Sequence, residues 1–274
     1  MKRCIATISL YGDLPEKLKA IAEAGFNAIE LFAGDMPETR QAARETAVRI
    51  ADLGLAVDLF QPLRDFEGVA SDQVPANLAR AEHVFDLMAE VGATTLLVCS
   101  NTGDVPNDDA RAADQLAQLA DRAAARGLRI GYEALAWGTQ VSTWDHAWKI
   151  VKTAAHPALG IILDSFHVQV RPENYTGIAK LPGDKITFVQ LGDAPRLNLD
   201  PMTLRRQYST LPGRGDMDVP LFVKLIQQTG YKGSLSIELF NLVDRTPALQ
   251  MAKAAMQALE ALDPPCSSMR SIDR

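Results

Sequence analysis

Short apolar runs alternate with longer amphipathic stretches along the chain, and a glycine often stands between the two. A glycine directly after a helix readily takes the left-handed conformation that ends it. The runs that follow are short and mostly apolar, as strands buried on both faces are. Eight runs have this character: residues 4–9, 28–32, 55–60, 94–99, 128–133, 160–164, 185–190 and 233–238. We therefore predict eight strands.

The alternation of strands and helices predicts a closed barrel. The stretches between the runs, such as residues 111–126 and 247–262, are alanine-rich and have the amphipathic period of helices. Strands joined by helical crossovers are parallel, and eight such units in 274 residues are typical of an α/β (β/α)8 TIM barrel. The alternative is an open doubly wound sheet, which would place a glycine-rich dinucleotide motif after the first strand. Residues 10–13 contain no such motif, which favours the barrel.

We expect one barrel domain over residues 1–262 and a flexible C-terminal tail over residues 263–274. The longest break in the pattern lies between residues 192 and 216 and is rich in proline, arginine and aspartate. Loops of this length in compact domains often carry function. In such a barrel the active site lies at the C-terminal ends of the strands. The residues that end the strands are therefore the first candidates for chemistry.

Four of the predicted strands end in a side chain that can bind a metal: Glu133, Asp164, Gln190 and Glu238. They belong to strands five to eight, which are neighbours around the barrel. Three carboxylates at one mouth would repel one another strongly unless a cation lay between them. Oxygen ligands favour a hard divalent ion, Mg2+ or Mn2+, with Co2+ as a further candidate. A structural interpretation stays open: Asp164 could cap a helix that begins at Ser165, and Gln190 could be a hydrogen-bonding residue only.

Histidine at position 167 is the main candidate for proton transfer. His167 follows Asp164 by three residues, so we expect it just beyond the strand end and close to the metal. Histidine titrates near neutral pH, which suits acid or base catalysis. The alternative is a loop histidine that is hydrogen-bonded to a carboxylate. His83 could reach the site or lie at the surface, and His146 and His156 fall on or after a helix.

Composition and charge restrict the partners. The chain is 47% hydrophobic and 23% charged, with a net charge of −6 at pH 7, which opposes the basic face that nucleic-acid binding needs. No apolar run approaches the roughly 20 residues of a membrane span, and the N-terminus lacks the apolar segment of a signal peptide. Cys4, Cys99 and Cys266 have no metal-type spacing and are interpreted as reduced thiols. We therefore expect a cytoplasmic protein that binds neither nucleic acid nor membranes, and a homo-oligomer stays open.

The site candidates belong to motifs that resemble those of a known superfamily. The motifs are Glu133, Asp-Ser-Phe-His at 164–167, Gln-Leu-Gly-Asp at 190–193, Pro-Gly-Arg-Gly-Asp at 212–216 and Ile-Glu-Leu-Phe at 237–240. Together they resemble the sugar-phosphate isomerase/epimerase superfamily of xylose isomerase-like barrels. Most members carry histidine where Gln190 stands. This glutamine, together with further motifs, resembles the bacterial 3-dehydroshikimate dehydratase branch; those motifs lie at 60–68, 98–101 and 131–138.

The resemblance implies a hydro-lyase that converts 3-dehydroshikimate to protocatechuate and water through an enolate and a β-elimination. It implies that one divalent metal is bound by Glu133, Asp164, Gln190 and Glu238 and acts on the substrate as a Lewis acid. It further implies that His167 lies at the reacting centre. We take His167 as the candidate base for the α proton and as a candidate acid for the departing hydroxide.

The resemblance also implies basic and hydroxyl side chains that hold the substrate carboxylate. Three carboxylates and one divalent ion leave a formal charge of about −1, to which the substrate adds another negative charge. An arginine is suited to this task because its guanidinium can bind a carboxylate with two hydrogen bonds. The candidates are Arg64, Arg80, Arg205 and Ser209.

Three alternative functions stay open at this point. A sugar isomerase or epimerase could use the same barrel and metal, but such enzymes usually need a second acidic base and no arginine anchor. An inosose-type dehydratase is compatible with the same residues. A non-catalytic ligand-binding barrel is the third alternative, and a complete metal quartet beside His167 argues against it.

Overall fold

Eight parallel strands form a closed barrel in the computed structural model, which describes residues 1–37, 39–241 and 243–263. The strands follow one another around the barrel in chain order, and β8 pairs with β1. They are β1 (Lys2–Ala6), β2 (Ala28–Phe32), β3 (Ala56–Leu63), β4 (Thr95–Cys99), β5 (Arg129–Glu133), β6 (Leu159–Asp164), β7 (Ile186–Leu191) and β8 (Ser234–Ile237). The predicted fold and number of strands are confirmed.

Helices surround the barrel and connect the strands. They are α1 (Leu14–Glu23), α2 (Arg40–Asp52), α3 (Val74–Val91), α4 (Asp109–Ala125), α5 (Trp144–Ala154), α6 (Ser165–Gln169), α7 (Pro201–Tyr208), α8 (Val219–Gln228) and α9 (Ala248–Leu262). Short 3-10 turns lie at Thr7–Ser9, Ala33–Asp35, Thr176–Lys180 and Gly183–Lys185. Gly92 directly follows α3 with a φ of 71°, as expected of a glycine that ends a helix. Among the described residues, no helix is long and apolar enough to cross a membrane.

The break at residues 192–216 contains a helix that the sequence pattern does not predict. Pro201 occupies the first turn of α7, and the Asp200 side chain accepts a hydrogen bond from the Thr203 N–H at 2.9 Å. These two features are favourable at a helix start. At eight residues α7 is too short to show a clear amphipathic period. The prediction of a long loop is therefore correct only for the segments on either side of α7.

A buried aspartate anchors both ends of this segment. Asp193 is fully buried, and its carboxylate accepts hydrogen bonds from four backbone N–H groups at 2.8–3.0 Å. The donors belong to Ala194, Gly213, Gly215 and Met217. Because a carboxylate with four such donors is well satisfied inside a protein, it fixes the path of the chain on both sides of α7. The structure thereby holds α7 beside the C-terminal ends of the strands.

The register of the last strands brings the predicted site residues to one end of the barrel. Asp164 of β6 lies opposite Gln190 of β7, and Gln190 lies opposite Ser236 of β8. Glu238 directly follows β8, and its N–H donates to the Leu191 carbonyl of β7. Parallel strands that close in register end at the same edge. The tail after residue 263, which the sequence pattern predicts to be flexible, lies outside the described residues.

Candidate active site

The four predicted metal ligands lie side by side at the C-terminal ends of their strands. Glu133 ends β5 and Asp164 ends β6, whereas Gln190 lies one residue before the end of β7 and Glu238 one residue after β8. All four side chains are buried. A cluster of buried acids requires compensation by hydrogen bonds or positive charge.

Asp164 has two roles, one structural and one in the cluster. Its Oδ1 accepts a hydrogen bond from the Phe166 N–H at 2.6 Å and so caps α6, which begins at Ser165. Its Oδ2 accepts a hydrogen bond from Arg205 Nη2 at 2.7 Å. Asp164 therefore does cap the helix that begins at Ser165, as the structural interpretation proposed. It also belongs to the acidic cluster, because its two oxygens have different partners.

Arg205 is the cationic partner of two acids in the cluster. It is 2% exposed, and its Nη2 donates to Asp164 Oδ2 and to Glu238 Oε2. The guanidinium also lies over the Phe166 ring, 5.0 Å from the ring centre. Gly192 allows this close approach, since a Cβ there would lie 2.7 Å from Arg205 Nη1. Arg205 thus supplies one positive charge to three carboxylates.

Burial sets the acidity of these carboxyl groups. It raises the pKa of Glu133 well above the usual range, and the nearby charges of Glu238 and Asp164 raise it further. Burial also raises the pKa of Asp164 to about 7, although the positive charge of Arg205 acts in the opposite direction. One guanidinium therefore does not fully offset the loss of solvation in this cluster.

His167 is buried beside the acids and is oriented by the backbone. Its Nδ1 accepts a hydrogen bond from the Ala136 N–H at 3.1 Å, and the Trp137 ring lies 4.9 Å from the imidazole between ring centres. Burial lowers the pKa of His167 well below its usual value, and the charges of Arg205 and Arg64 lower it further. The ring is therefore neutral at physiological pH. Because Nδ1 is an acceptor, the proton of the neutral ring is on Nε2.

The remaining histidines lie away from the barrel mouth. His83 is exposed on α3. His146 Nε2 lies 2.7 Å from Asp109 Oδ1 and His156 Nε2 lies 3.0 Å from Asp121 Oδ1, on the outer helices. The position of His83 on α3 and the contacts of His146 and His156 with α4 assign the three residues to the helical layer.

The residues in the mouth fit a divalent cation. Glu133, Asp164 and His167 each offer one ligand atom, and these three atoms lie within 4.8 Å of one another. In addition, Glu133 Oε1 and Gln190 Oε1 are buried without a hydrogen-bond partner among the described residues. Buried oxygen atoms without a partner are rare in folded proteins and need an explanation. A divalent cation bound by such oxygen donors would provide one.

A small cavity opens onto this cluster. Its volume is about 50 Å³, well below the roughly 300–1,000 Å³ of most small-molecule pockets. Glu133, His167 and Glu238 contribute to its wall, and Trp137 also lines it. Larger clefts, such as one of about 850 Å³ between α3 and α4, contain no comparable cluster of buried acids among the described residues. A ring-sized ligand therefore requires side chains at the mouth to move.

Arginines line the cavity, but not all of the predicted ones do. Arg64 and Arg205 line it, and so does Arg206, which sequence reasoning missed. Arg80 is on α3 and donates to the Asp65 carbonyl and to Asn77 Oδ1, both at 3.2 Å. The structure thus brings two of the three predicted arginines to the cavity and leaves Arg80 outside it.

The predicted hydroxyl Ser209 lies at the end of α7. It is buried, and its Oγ has no hydrogen-bond partner among the described residues. Its carbonyl accepts a hydrogen bond from Asn241 Nδ2 at 3.1 Å. Its hydroxyl is therefore unpaired among the described residues, and Ser209 is not part of the cavity wall.

A hydrogen-bond network below the mouth was not predicted. Glu30 in β2 is fully buried and accepts hydrogen bonds from Gln190 Nε2, from Gln61 Nε2 at 2.7 Å and from Ser236 Oγ at 2.9 Å. Gln61 Nε2 also donates to Glu238 Oε1 at 2.9 Å. The sequence contains a signal for this network, because Glu30 is a lone charged residue inside the apolar run 28–32.

A closed barrel of eight parallel strands with a cation-compatible acidic site at its C-terminal end belongs to the class of (β/α)8 barrels with a candidate metal centre. The chain belongs to the xylose isomerase-like TIM barrel family, whose family model matches residues 18–262.

Two related proteins are similar over most of this chain. A 3-dehydroshikimate dehydratase from Pseudomonas aeruginosa is 51% identical over 242 residues, which is 88% of this chain and 38% of that protein. A 3-dehydroshikimate dehydratase from Pseudomonas putida is 48% identical over 265 residues, which is 96% of this chain and 42% of that protein. The chain therefore spans about two fifths of the length of these relatives.

Solved structures have the same fold. A xylose isomerase-like TIM barrel/4-hydroxyphenylpyruvate dioxygenase fusion protein superposes with a TM-score of 0.93 at 47% identity, covering 96% of this chain and 42% of that one. The IolI protein with a bound zinc atom superposes with a TM-score of 0.86 at 18% identity, covering 99% of this chain and 100% of that one. At that identity the second likeness concerns the fold alone.

Proposed function

We propose that this chain is a metal-dependent hydro-lyase that converts 3-dehydroshikimate to protocatechuate and water. The observation that carries the proposal is the 51% and 48% identity with two 3-dehydroshikimate dehydratases over 88% and 96% of this chain. The acidic mouth supports it because its residues fit a divalent cation. Such a cation would supply the positive charge that an enolate needs at its carbonyl oxygen. We further infer a cytoplasmic location, where the buried free thiols Cys4 and Cys99 would stay reduced.

We propose that Glu133, Asp164, Gln190 and Glu238 hold one Mg2+ or Mn2+ ion, with Co2+ as a substitute. Two observations support this set: buried oxygens of Glu133 and Gln190 have no partner among the described residues, and ligand atoms of Glu133 and Asp164 lie within 4.8 Å of each other. Oxygen donors are the ligands that hard divalent ions prefer. When bound, the ion supplies Lewis acidity that stabilises negative charge on a substrate carbonyl oxygen.

The tautomer of His167 favours a role as hydrogen-bond donor. Since Nδ1 accepts from the Ala136 N–H, the neutral ring can donate from Nε2 to a substrate oxygen on which negative charge develops. A base role at Nε2 would require a proton on Nδ1, directly facing the Ala136 N–H. A neutral imidazole can stabilise an oxyanion in this way. The base assignment made from the sequence is thus less favourable than the donor assignment.

Carboxylates that bind the cation lose their basicity, so they are poor acceptors for the α proton. In its other neutral tautomer, with the proton on Nδ1, His167 offers Nε2 as the acceptor. The proton taken from the α carbon can be returned to the departing hydroxide, which leaves as water. This step balances the proton without a further reactant.

The arginines of the cavity wall form the proposed site of the substrate carboxylate. Arg64 and Arg206 lie at the cavity wall with exposed side chains. Arg205 Nη1 and Ser209 Oγ are buried without partners among the described residues and could complete the anchor. Arg80 is the weakest candidate, because its guanidinium already binds Asp65 and lies outside the cavity.

A spectroscopic assay tests the proposal. Purified protein is mixed with 3-dehydroshikimate and Mg2+ or Mn2+, and the ultraviolet absorbance of protocatechuate is followed with and without a chelator. We expect product that depends on the metal and that is lost in Glu133→Ala. Glu45→Ala, at an exposed glutamate of α2, is the matched control and should retain full activity.

The variants of His167 separate its two roles. His167→Gln keeps a side-chain N–H donor but no basic nitrogen, whereas His167→Ala keeps neither. More activity in His167→Gln than in His167→Ala supports the donor role, and equal loss in both supports the base role. No aromatic product with any divalent metal would contradict the proposed function and would turn attention to sugars and inososes as substrates.

A further inference from the structure

Glu30 is a buried acid for which packing provides no explanation. It lies in the middle of β2 with no exposed surface, and the three side chains that donate to it, Gln61, Gln190 and Ser236, are all neutral. A buried carboxylate with neutral donors is less favourable than an apolar side chain of similar size. Its three hydrogen bonds nevertheless link β2 to β3, β7 and β8. Of the donors, Gln190 is itself a proposed metal ligand, and Gln61 also donates to the proposed ligand Glu238.

The first consequence of Glu30 concerns the orientation of an amide. The oxygen and nitrogen of a glutamine amide have similar size, so their orientation is determined by their partners. Gln190 Nε2 donates to Glu30 Oε1, whereas Gln190 Oε1 is buried without a partner. Gln190 also lies directly opposite Asp164 across β6 and β7. Glu30 therefore fixes the orientation in which the oxygen of Gln190 is free to bind a cation.

The second consequence concerns a carboxylate on the other side of the network. Gln61 Nε2 donates one hydrogen to Glu30 Oε1 at 2.7 Å and the other to Glu238 Oε1 at 2.9 Å. With both hydrogens engaged, the Gln61 amide holds Glu238 in place and leaves Glu238 Oε2 directed to Arg205. The same buried acid thus aligns two groups of the mouth, one directly and one through Gln61.

We propose that Glu30 is a positioning residue for the metal centre, which holds the Gln190 amide with its oxygen toward the cation. The inference rests on the proposed metal site and assigns a role to a residue outside the ligand set. Groups that orient metal ligands contribute about 10- to 100-fold to metal affinity. Without Glu30, the Gln190 amide can rotate and present its NH2 group to the cation, which repels it.

The test measures Mn2+ binding rather than catalysis. The purified full chain is treated with a chelator and titrated with Mn2+, and free Mn2+ is followed by its EPR signal. We expect Glu30→Met to weaken Mn2+ binding by about tenfold or more. Glu30→Gln, whose amide oxygen can still accept from Gln190, should weaken it less. Asp58→Asn, at a part-buried acid of β3 that accepts from Ser234 and Lys2 near the other end of the barrel, is the control and should leave Mn2+ binding unchanged.

A double-mutant cycle shows whether Glu30 acts through Gln190. Gln190→Met should weaken binding by itself, and adding Glu30→Met should then have a clearly smaller effect than in the wild-type background. Circular dichroism and thermal unfolding confirm folding of each variant. If Glu30→Met does not fold, Glu30→Ser is used, because its short side chain cannot reach the Gln190 amide.

The outcomes separate failure of this inference from failure of the proposed function. Unchanged Mn2+ affinity in the Glu30 variants, or equal effects of Glu30→Met in both backgrounds, would overturn the positioning role. A wild-type chain that binds no Mn2+, or a Gln190→Met chain that binds it as well as wild type, would overturn the ligand assignment and with it the role of Glu30. Dehydratase activity is not needed for either decision.

Discussion

Two aspartates, one on the outer helices and one in the barrel mouth, have similar cationic partners, but their pKa values are shifted in opposite directions. Asp109 on α4 lies 2.7 Å from Lys149 Nζ and 2.7 Å from His146 Nε2, and these hydrogen bonds lower its pKa to about 2. Asp164 lies 2.7 Å from Arg205 Nη2, yet burial raises its pKa to about 7. The contact distance is the same, so solvation decides the difference.

The comparison extends to the networks in which the two residues lie. On the outer helices Asp109 contacts His146 and Lys149, and each of these side chains also faces water. Exposed pairs of this kind are screened by salt and contribute little. In the mouth, Arg205, Asp164 and Glu238 are buried. Each charged group there is stabilised by its neighbours and by any bound cation rather than by water. Chemistry is therefore expected in the mouth and not on the helices.

The largest expected effect is loss of activity in Asp164→Asn. A bound cation contributes several kcal/mol to stabilising developing charge, and each ~1.4 kcal/mol is a factor of ten, so we expect a fall of about a thousandfold or more in kcat/KM. Asp109→Asn removes the same charge from α4 and should leave kcat/KM unchanged. The measurement is protocatechuate formation at saturating Mn2+. Equal loss in both variants would contradict the distinction between the two regions.

The next effect concerns stability in the absence of metal. Arg205→Gln leaves Asp164 and Glu238 buried without their cation, which should lower the free energy of unfolding by about 3–5 kcal/mol. The same variant should bind Mn2+ more tightly, because a positive charge beside the ion is removed. Urea unfolding with a chelator and Mn2+ titration measure the two effects. Lys149→Gln, at an exposed partner of Asp109, should change neither, and a stable Arg205→Gln chain would contradict the prediction.

The two aspartates should also give opposite pH dependence. The pKa of Asp164 in the folded chain, about 7, exceeds its ordinary value of 3.8, so its contribution to stability is greatest below about pH 4 and decreases as the pH rises toward 7. The pKa of Asp109 is about 2, below the same ordinary value, so its contribution is present above about pH 4 and is lost as the pH falls toward 2. Mn2+ binding, which needs a charged Asp164, should weaken as the pH falls below about 7.

Urea unfolding of chelator-treated protein between pH 3 and pH 8 measures these slopes. Relative to wild type, Asp164→Asn should become more stable as the pH rises through this window, whereas Asp109→Asn should become less stable. If the free energy of unfolding varied with pH in the same way in wild type and Asp164→Asn, the prediction that burial raises the pKa of Asp164 would be wrong.

The smallest expected effect separates two candidate anchors for the substrate. Arg64→Gln removes a guanidinium from the cavity wall and should raise KM by about tenfold, since a hydrogen bond to a charged group contributes about 1.5–3 kcal/mol. Arg80→Gln changes an arginine that binds Asp65 and Asn77 outside the cavity, so KM should stay the same. Steady-state kinetics decides, and a raised KM in Arg80→Gln alone would reverse the assignment.

The amino-acid sequence by itself determined the barrel and the location of its chemistry. Alternation of apolar runs with amphipathic stretches encodes eight strands and their crossover helices, because the period of side-chain burial is a local property. Glu133, Asp164 and Glu238 could be identified for the same reason, since a carboxylate at the end of a buried strand interrupts the apolar pattern. The helix α7 was missed because its eight residues are too few for a clear period.

Only the tertiary structure decided how these groups are paired. Glu30 and Gln190 are separated by 160 positions and Glu30 and Ser236 by 206, so closure of the barrel brings them together. The same closure places Arg205 between Asp164 and Glu238 and leaves Arg80 outside. The tautomer of His167 depends on one backbone N–H, that of Ala136. Contacts between distant strands and the loss of water around them are properties of the closed barrel, and no local pattern in the sequence encodes them.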